Sequence, residues 1–306
     1  MAAYKQYMHD AFVMLGAPRD AHLEKNIEKI INFEKNIAMA AAKSPFNFAM
    51  IQTFERIHLE FGQDVDLKIV LNNILKDLKS TQKPFGDHDQ LAVVNLGFLK
   101  ETIDVFKTTP IEVIQNYFAW IITMTYGLAT THEFRHANAQ FMSTITGIKH
   151  EVEDVKYCAQ VLNAKLPFAY ARAYVDAEFT KEDRDEALSM VKELKKSFSN
   201  ILSSNEWLDD ETKEEALKKL EKIKENIGYP DWLKADSDLD DYYEHVNNVN
   251  VQKNKFIESM AVMFARDVAR EYNEYIIPYN HTRAWPMTPA TVNAAYMPIE
   301  NSISKF

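Results

Sequence analysis

Apolar residues recur at three- and four-residue steps along most of this chain, and sustained alternation is rare. The stretch from Glu206 to Pro230, EWLDDETKEEALKKLEKIKENIGYP, shows the pattern at its clearest. Ala216, Leu217, Leu220, Ile223 and Ile227 fall on one stripe, while Lys213, Glu214, Lys218, Glu221 and Lys222 occupy the rest. Asp209 or Asp210 can cap the first turn, lysines follow the opening acids, and Gly228 with Pro230 closes the end. One amphipathic helix is predicted here, with one face packed and the other in water.

The same period predicts helices over residues 3–15 and about 19–42, separated by Gly16, Pro18 and Asp20, and then over Phe48 to Glu60 and about Asp66 to Leu78. Leu91 to Val94 reads as a short extended piece before a helix over Leu96 to Phe106. Pro110 suits a first helical turn, and the run from Ile111 can continue, with or without a kink at Gly127, to about Thr146. Helices over Glu151 to Leu162, Pro167 to Phe179 and Lys181 to Ser203 follow, the last with Ala187, Met190, Val191, Leu194, Phe198 and Leu202 on its inner face. A helix from about Val251 to Ala269 buries Phe256, Met260, Met263 and Phe264 as core. Beyond Glu274 the character changes: Ile276 to Tyr279 and above all Val292 to Pro298 read as extended chain, fenced from helix by Pro286, Pro289 and Pro298. The fold class is therefore all-α, with a short extended segment near the C-terminus.

Composition supports that class. Hydrophobic residues make up 46%, charged residues 26%, and only 7 of 306 residues are glycine, a balance that suits long helices around a full core. Lys and Arg total 35 against 45 Asp and Glu, so the formal charge of -10 argues against a broad nucleic-acid surface. Cys158 is the only cysteine and can form no internal disulfide. The first residues, MAAYKQYMHDAFVMLG, have no basic start followed by an apolar block, so they do not read as a signal peptide; no stretch reaches membrane-spanning length either.

His132-Glu133-Phe134-Arg135-His136 matches H-E-x-x-H, in which a helix sets two imidazoles on one face to hold zinc and the intervening glutamate deprotonates bound water. A catalytic zinc of this type needs a third ligand, for which Glu178, Glu206 and Glu271 are candidates. The alternative is a surface helix whose His and Arg residues pair with nearby acids.

Several other stretches carry a resemblance. Trp207-Leu208-Asp209, Thr212-Lys213, Ala216, Lys219 and Ile227-Gly228-Tyr229-Pro230 form one group, and Asn116-Tyr117 with Trp120, Cys158, Pro167, Tyr174 and Phe179 precede it. Trp285-x-Met287-x-Pro289 and Val292-Asn293-Ala294-x-Tyr296-x-Pro298-x-x-Asn301 follow. In this order they resemble the neprilysin and endothelin-converting-enzyme family of zinc metallopeptidases, from about Tyr4 to Ser304.

The resemblance implies a helical cap lobe over residues 1–273 and the start of a catalytic lobe over 274–306. It implies that Asn293 and Ala294 bind substrate, the Asn side chain and Ala carbonyl bonding the backbone of a peptide that adds as an extra strand. Ala295 departs from the family pattern, which is usually aromatic there, and Lys305 departs as well. In the family the zinc helix lies downstream of this strand, so His132, Glu133 and His136 are expected to be no zinc site, and zinc belongs to the full-length family. The chain is thus expected to be part of a metalloendopeptidase, without a cofactor and inactive alone. Its implied partners are a peptide substrate and a missing catalytic half, with no nucleic acid and no membrane segment. The implied location is that of an extracellular or membrane-anchored ectodomain, and Cys158 matches a cysteine the family normally bridges. Two other functions stay open: a non-catalytic peptide-binding protein that keeps the cap lobe, and an independent zincin built on residues 132–136.

Overall fold

Helix follows helix along the chain, as the periodicity predicts. The structure, a computed structural model, describes residues 1–44, 50–61, 65–77, 83–252, 254–274, 285 and 287–305. In order, these form α1 (Ala2–Met14), α2 (Ala21–Lys43), β1 (Met50–Thr53), α3 (Phe54–Phe61), α4 (Leu67–Asp77), β2 (Gln90–Val93), α5 (Leu96–Thr108), α6 (Ile111–Tyr126) and α7 (His132–Thr146). There follow α8 (Asp154–Lys165), α9 (Pro167–Glu178), α10 (Lys181–Ser204), α11 (Asp210–Glu221), β3 (Lys224–Ile227), α12 (Asp236–Tyr242), α13 (Phe256–Glu274), β4 (Ala294–Met297) and β5 (Ser302–Lys305). Side chains cap several helix starts: Asp20 accepts from the Leu23 amide at 2.9 Å, Asp209 from Thr212 at 2.7 Å, and Thr180 forms a capping box with Asp183.

The chain divides into two compact units. The first comprises Met1–Val152 and Val249–Tyr275. Here α1 lies on α7 and α2, and α2 also packs on α5 and α6. Tyr7, Met8, Ala11, Leu23, Ile27, Ile30, Trp120 and Phe134 form the core, each large apolar side chain worth about 1.5–3 kcal/mol on burial. Trp120, fully buried, donates its indole N–H to the Tyr4 hydroxyl at 2.8 Å, and that hydroxyl donates to Glu34 Oε1 at 2.9 Å. Burial raises the Glu34 carboxyl above the usual range, outweighing the Tyr4 hydrogen bond, and pushes the Tyr4 hydroxyl up as well. In the same unit, β1 and β2 make a two-stranded antiparallel sheet.

The second unit comprises Glu153–Asn248 and Ile276–Phe306. In it α8 packs on α9, and α10 packs on α11 and β3. Phe168 meets Trp232 and Tyr242 at ring distances of 4.9 and 5.1 Å, and the Phe168 amide, in the first turn of α9, donates to the Tyr243 hydroxyl at 2.9 Å. The remaining three strands form one sheet in the order β3-β5-β4, β5 running parallel to β3 and antiparallel to β4.

Four expectations need correction. The helix over residues 206–230 stops at Glu221, and Ile223 and Ile227 leave its stripe: Lys224–Ile227 pairs with β5 and becomes a strand. Within Phe48 to Glu60, Met50–Thr53 is strand, because Gln90–Val93 supplies a partner ladder. The run from Ile111 to Thr146 is two helices, broken where Gly127 meets the Phe134 ring so closely that a Cβ there would lie 2.9 Å from it. Finally, of the inner face assigned to α10 only Val191 is buried, while Met190, Leu194 and Phe198 are 55%, 63% and 49% exposed. The expected extended chain at Ile276 to Tyr279 lies outside the described residues.

Candidate functional site

Two stretches were singled out for chemistry, and they lie in different units. His132 and Glu133 open α7, so Glu133 sits in the first turn, where the helix dipole and capping groups attract an acid. A hydrogen bond from the Thr131 hydroxyl, followed by one from its own backbone N–H, holds its carboxyl below the usual range. The acid is engaged as a cap. His136 Nδ1 lies 3.0 Å from Glu151 Oε1, its Nε2 lies 2.8 Å from Gln140 Nε2, and His132 Nε2 lies 3.9 Å from the other Glu151 oxygen. Both rings are exposed and paired with one acid. Among the described residues no three His, Cys, Asp or Glu side chains gather as a metal-binding group, Glu178, Glu206 and Glu271 included. A catalytic zinc with an activated water needs three protein ligands and a free carboxylate beside them, whereas here both imidazoles pair with Glu151 and Glu133 accepts from Thr131.

The second stretch is β4. Its geometry follows from the register of β5. The Lys224 amide donates to the Asn301 carbonyl at 3.0 Å, so backbone groups of residues 301, 303 and 305 face β3. Those of Ser302 and Ser304 therefore face β4, and they exchange bonds with Met297 and Ala295, their partners in register. It follows that Ala294 and Tyr296 turn their N–H and C=O groups away from β5. An independent contact agrees: the Ala294 amide donates to Asn293 Oδ1 at 2.8 Å.

Among the described residues no strand pairs with this edge, which presents the Ala294 carbonyl, the Tyr296 N–H and carbonyl, and the amide end of the exposed Asn293 side chain. Such a row is the template onto which another extended chain pairs. Side chains alternate across it: Ala294 and Tyr296 share one face, and Ala295 and Met297 share the other with Ser302 and Ser304. On that second face Asn226 of β3, 1% exposed and the register partner of Ser304, donates to Ser304 Oγ at 3.4 Å.

Sequence reasoning named Asn293 and Ala294 but not the Tyr296 backbone, because pairing parity depends on β5 and β3, whose partnership no local pattern reveals. It also passed over Asn301 as more than a motif position. The Pro298-x-x-Asn301 spacing was the available signal, since a turn ending in a left-handed residue favours Asn.

This mainly helical fold, with two small sheets among the described residues, is similar to that of solved structures. The structure superposes on PepO from Lactobacillus rhamnosis HN001 with a TM-score of 0.74 at 17% identity, covering 99% of this chain and 46% of that one. Against the Mycobacterium tuberculosis zinc metalloprotease Zmp1 in complex with inhibitor, the TM-score is 0.70 at 21% identity, covering 99% and 44%. A family model described as Peptidase family M13 matches residues 1–230, and the chain belongs to that family. It is 26% identical over 311 residues to Neprilysin-1 of Trittame loki, covering 99% of this chain and 42% of the relative. Against Neprilysin-11 of Caenorhabditis elegans the identity is again 26%, with 99% and 36% covered. The chain thus spans about two fifths of the length of the curated relatives it matches.

Proposed function

We propose that this chain is the helical-lobe portion of a neprilysin-like metalloendopeptidase, residues 1–273 forming the cap lobe and residues 274–306 the first part of the catalytic lobe. In this reading the β4 edge holds an extended peptide, and the chain alone does not cleave it. The observation that carries the reading is the outward row at Ala294 and Tyr296, with the Asn293 side chain at its head. Backbone pairing of this kind gives affinity with little selection among side chains. Among the described residues, no group of three His, Cys, Asp or Glu side chains that could hold a metal ion lies at the edge or at residues 132–136. Zinc and the catalytic glutamate would come from a catalytic half, and the peptide is the substrate class by likeness to relatives named neprilysin.

The test is a binding and cleavage assay on one sample. A fluorescein-labelled pentapeptide of alternating valine and threonine is expected to bind the wild type, and to bind Asn293→Ala about tenfold more weakly, the worth of one or two backbone-type hydrogen bonds. No chelator-sensitive hydrolysis is expected. Cleavage abolished by a chelator in the wild type, and absent in His132→Ala, would overturn the inactive reading and move the chemistry to α7. Binding without cleavage, unchanged when a chain carrying the rest of the family's length is added, favours the non-catalytic peptide-binding protein instead.

A further inference from the structure

We propose that Asn301 is the positioning residue of the peptide-binding edge, fixing β4 against the frame made by α11 and β3; this rests on the reading of β4 given above.

Asn301 ends the turn between β4 and β5 with φ at 48°, the one described non-glycine residue in the left-handed region. Asparagine enters that region at lower cost than most residues, and here all its polar groups are used. Its backbone N–H donates to the Pro298 carbonyl at 3.3 Å, closing the turn, while its backbone carbonyl accepts from the Lys224 amide at 3.0 Å, starting the ladder to β3. Its side-chain Nδ2 donates to the Lys219 carbonyl at 2.9 Å, one of the last carbonyls of α11, which has no partner further along the helix. Its Oδ1 accepts from the Tyr296 hydroxyl at 3.0 Å.

These four bonds lead to four different places, and Tyr296 is one of the two residues whose backbone faces the incoming chain. The path from the packed helix to the open edge therefore runs through one side chain: Lys219 carbonyl, Asn301 amide, Tyr296 hydroxyl, Tyr296 backbone. Without it, β5 keeps its ladder to β3, but β4 is held by β5 alone and the turn loses its tie to α11. An edge that wanders adds an ordering cost each time a peptide binds. Asn301 touches no substrate atom in this scheme. It acts through Tyr296.

The experiment has two arms. In the first, amide hydrogen exchange is followed in the free protein at Ala295 and Met297, whose N–H groups bond β5. Asn301→Gly keeps the left-handed turn and removes both side-chain bonds; exchange at these two amides is expected to rise about tenfold. Tyr296→Phe removes only the hydroxyl and is expected to give about a threefold rise. The control is Lys195→Ala, which removes comparable bonds to the Ile223 carbonyl at 3.1 Å and Glu225 at 2.8 Å on the far side of the same sheet. It is expected to leave exchange at β4 unchanged.

In the second arm the same three variants are titrated with the labelled valine-threonine pentapeptide. Affinity is expected to fall about tenfold in Asn301→Gly and about threefold in Tyr296→Phe, with less than about a twofold change in Lys195→Ala. Unchanged exchange at β4 in both Asn301→Gly and Tyr296→Phe overturns the proposal. So does an equal change in Lys195→Ala, which would make Asn301 an ordinary contributor to stability. Failure of the wild type to bind the peptide overturns the reading of the edge, and the exchange arm still decides whether Asn301 positions β4.

Discussion

Tyr4 shows how much of the first unit's stability can pass through one hydroxyl. It accepts from a fully buried indole and donates to a half-buried carboxylate, so it satisfies two groups on two other helices, α6 and α2. Tyr4→Phe removes one atom, leaving the Trp120 N–H without an acceptor, and is expected to cost about 2 kcal/mol, read as a lower urea midpoint with unchanged slope. The carboxylate at the far end adds a pH term. Burial lifts the folded-state pKa of Glu34 above its unfolded value, so the native state prefers the protonated acid. Its contribution to stability is full below the unfolded pKa and is lost as pH rises through the folded one. Glu34→Gln keeps an acceptor for Tyr4 and removes the ionisation. The variant is expected to match the wild type at about pH 4 and to exceed it in stability at about pH 8, in urea melts at the two values. A wild type that is the more stable of the two at the higher pH would show that the ionised acid is favourable in place.

At the scale of elements, the helices were legible because their signal is local. Asp209 reads as a cap in the sequence and is one in the structure, and Asp20, read as part of a break, caps α2. The strands β1, β3 and β5 were not legible, since each is four residues long and owes its form to a partner distant in sequence. Lys224–Ile227 is the instructive case: Ile223 and Ile227 continue a perfect helical stripe, and pairing with β5 overrides it. Gly228 then makes the strand's exit possible. Its φ is +73°, and a Cβ would come within 2.9 Å of the Phe179 ring. Gly147 has nearly the same backbone, φ +75°, with nothing within 4 Å. Gly147→Ala is therefore expected to cost about 1 kcal/mol, the backbone penalty alone, and Gly228→Ala about 2–4 kcal/mol because the ring must also move. Equal losses in the two thermal melts would mean that Phe179 yields freely. The edge at β4 was half legible: Asn293 and Ala294 stood out by resemblance, whereas the outward turn of Tyr296 depends on a parity set by the Lys224 to Asn301 bond.

At the scale of the molecule, three large side chains of α10 that read as inward, Met190, Leu194 and Phe198, meet solvent, while Val191 beside them is buried. Met190, Leu194, Phe198 and Ile201 recur at steps of four, four and three, and are 49–63% exposed. They make one apolar row about 16 Å long. The sequence pattern was correct about the amphipathic face and wrong about its burial within this chain, because periodicity reports that a face is apolar without saying which polypeptide covers it. A row of this kind is a place where a further part of a family member, or another copy, gains by excluding water. The chain by itself is therefore expected to associate as its concentration rises, with a sedimentation coefficient that grows across the series. Leu194→Lys combined with Phe198→Lys puts two charges in the middle of the row and is expected to hold the protein monomeric throughout. The same charges placed outside the row, at Ser197 and Asn200, are expected to change little. If the wild type stays monomeric at high concentration, the row is tolerated as ordinary surface. If both double variants associate as the wild type does, contact is made elsewhere, and α10 is free to face water.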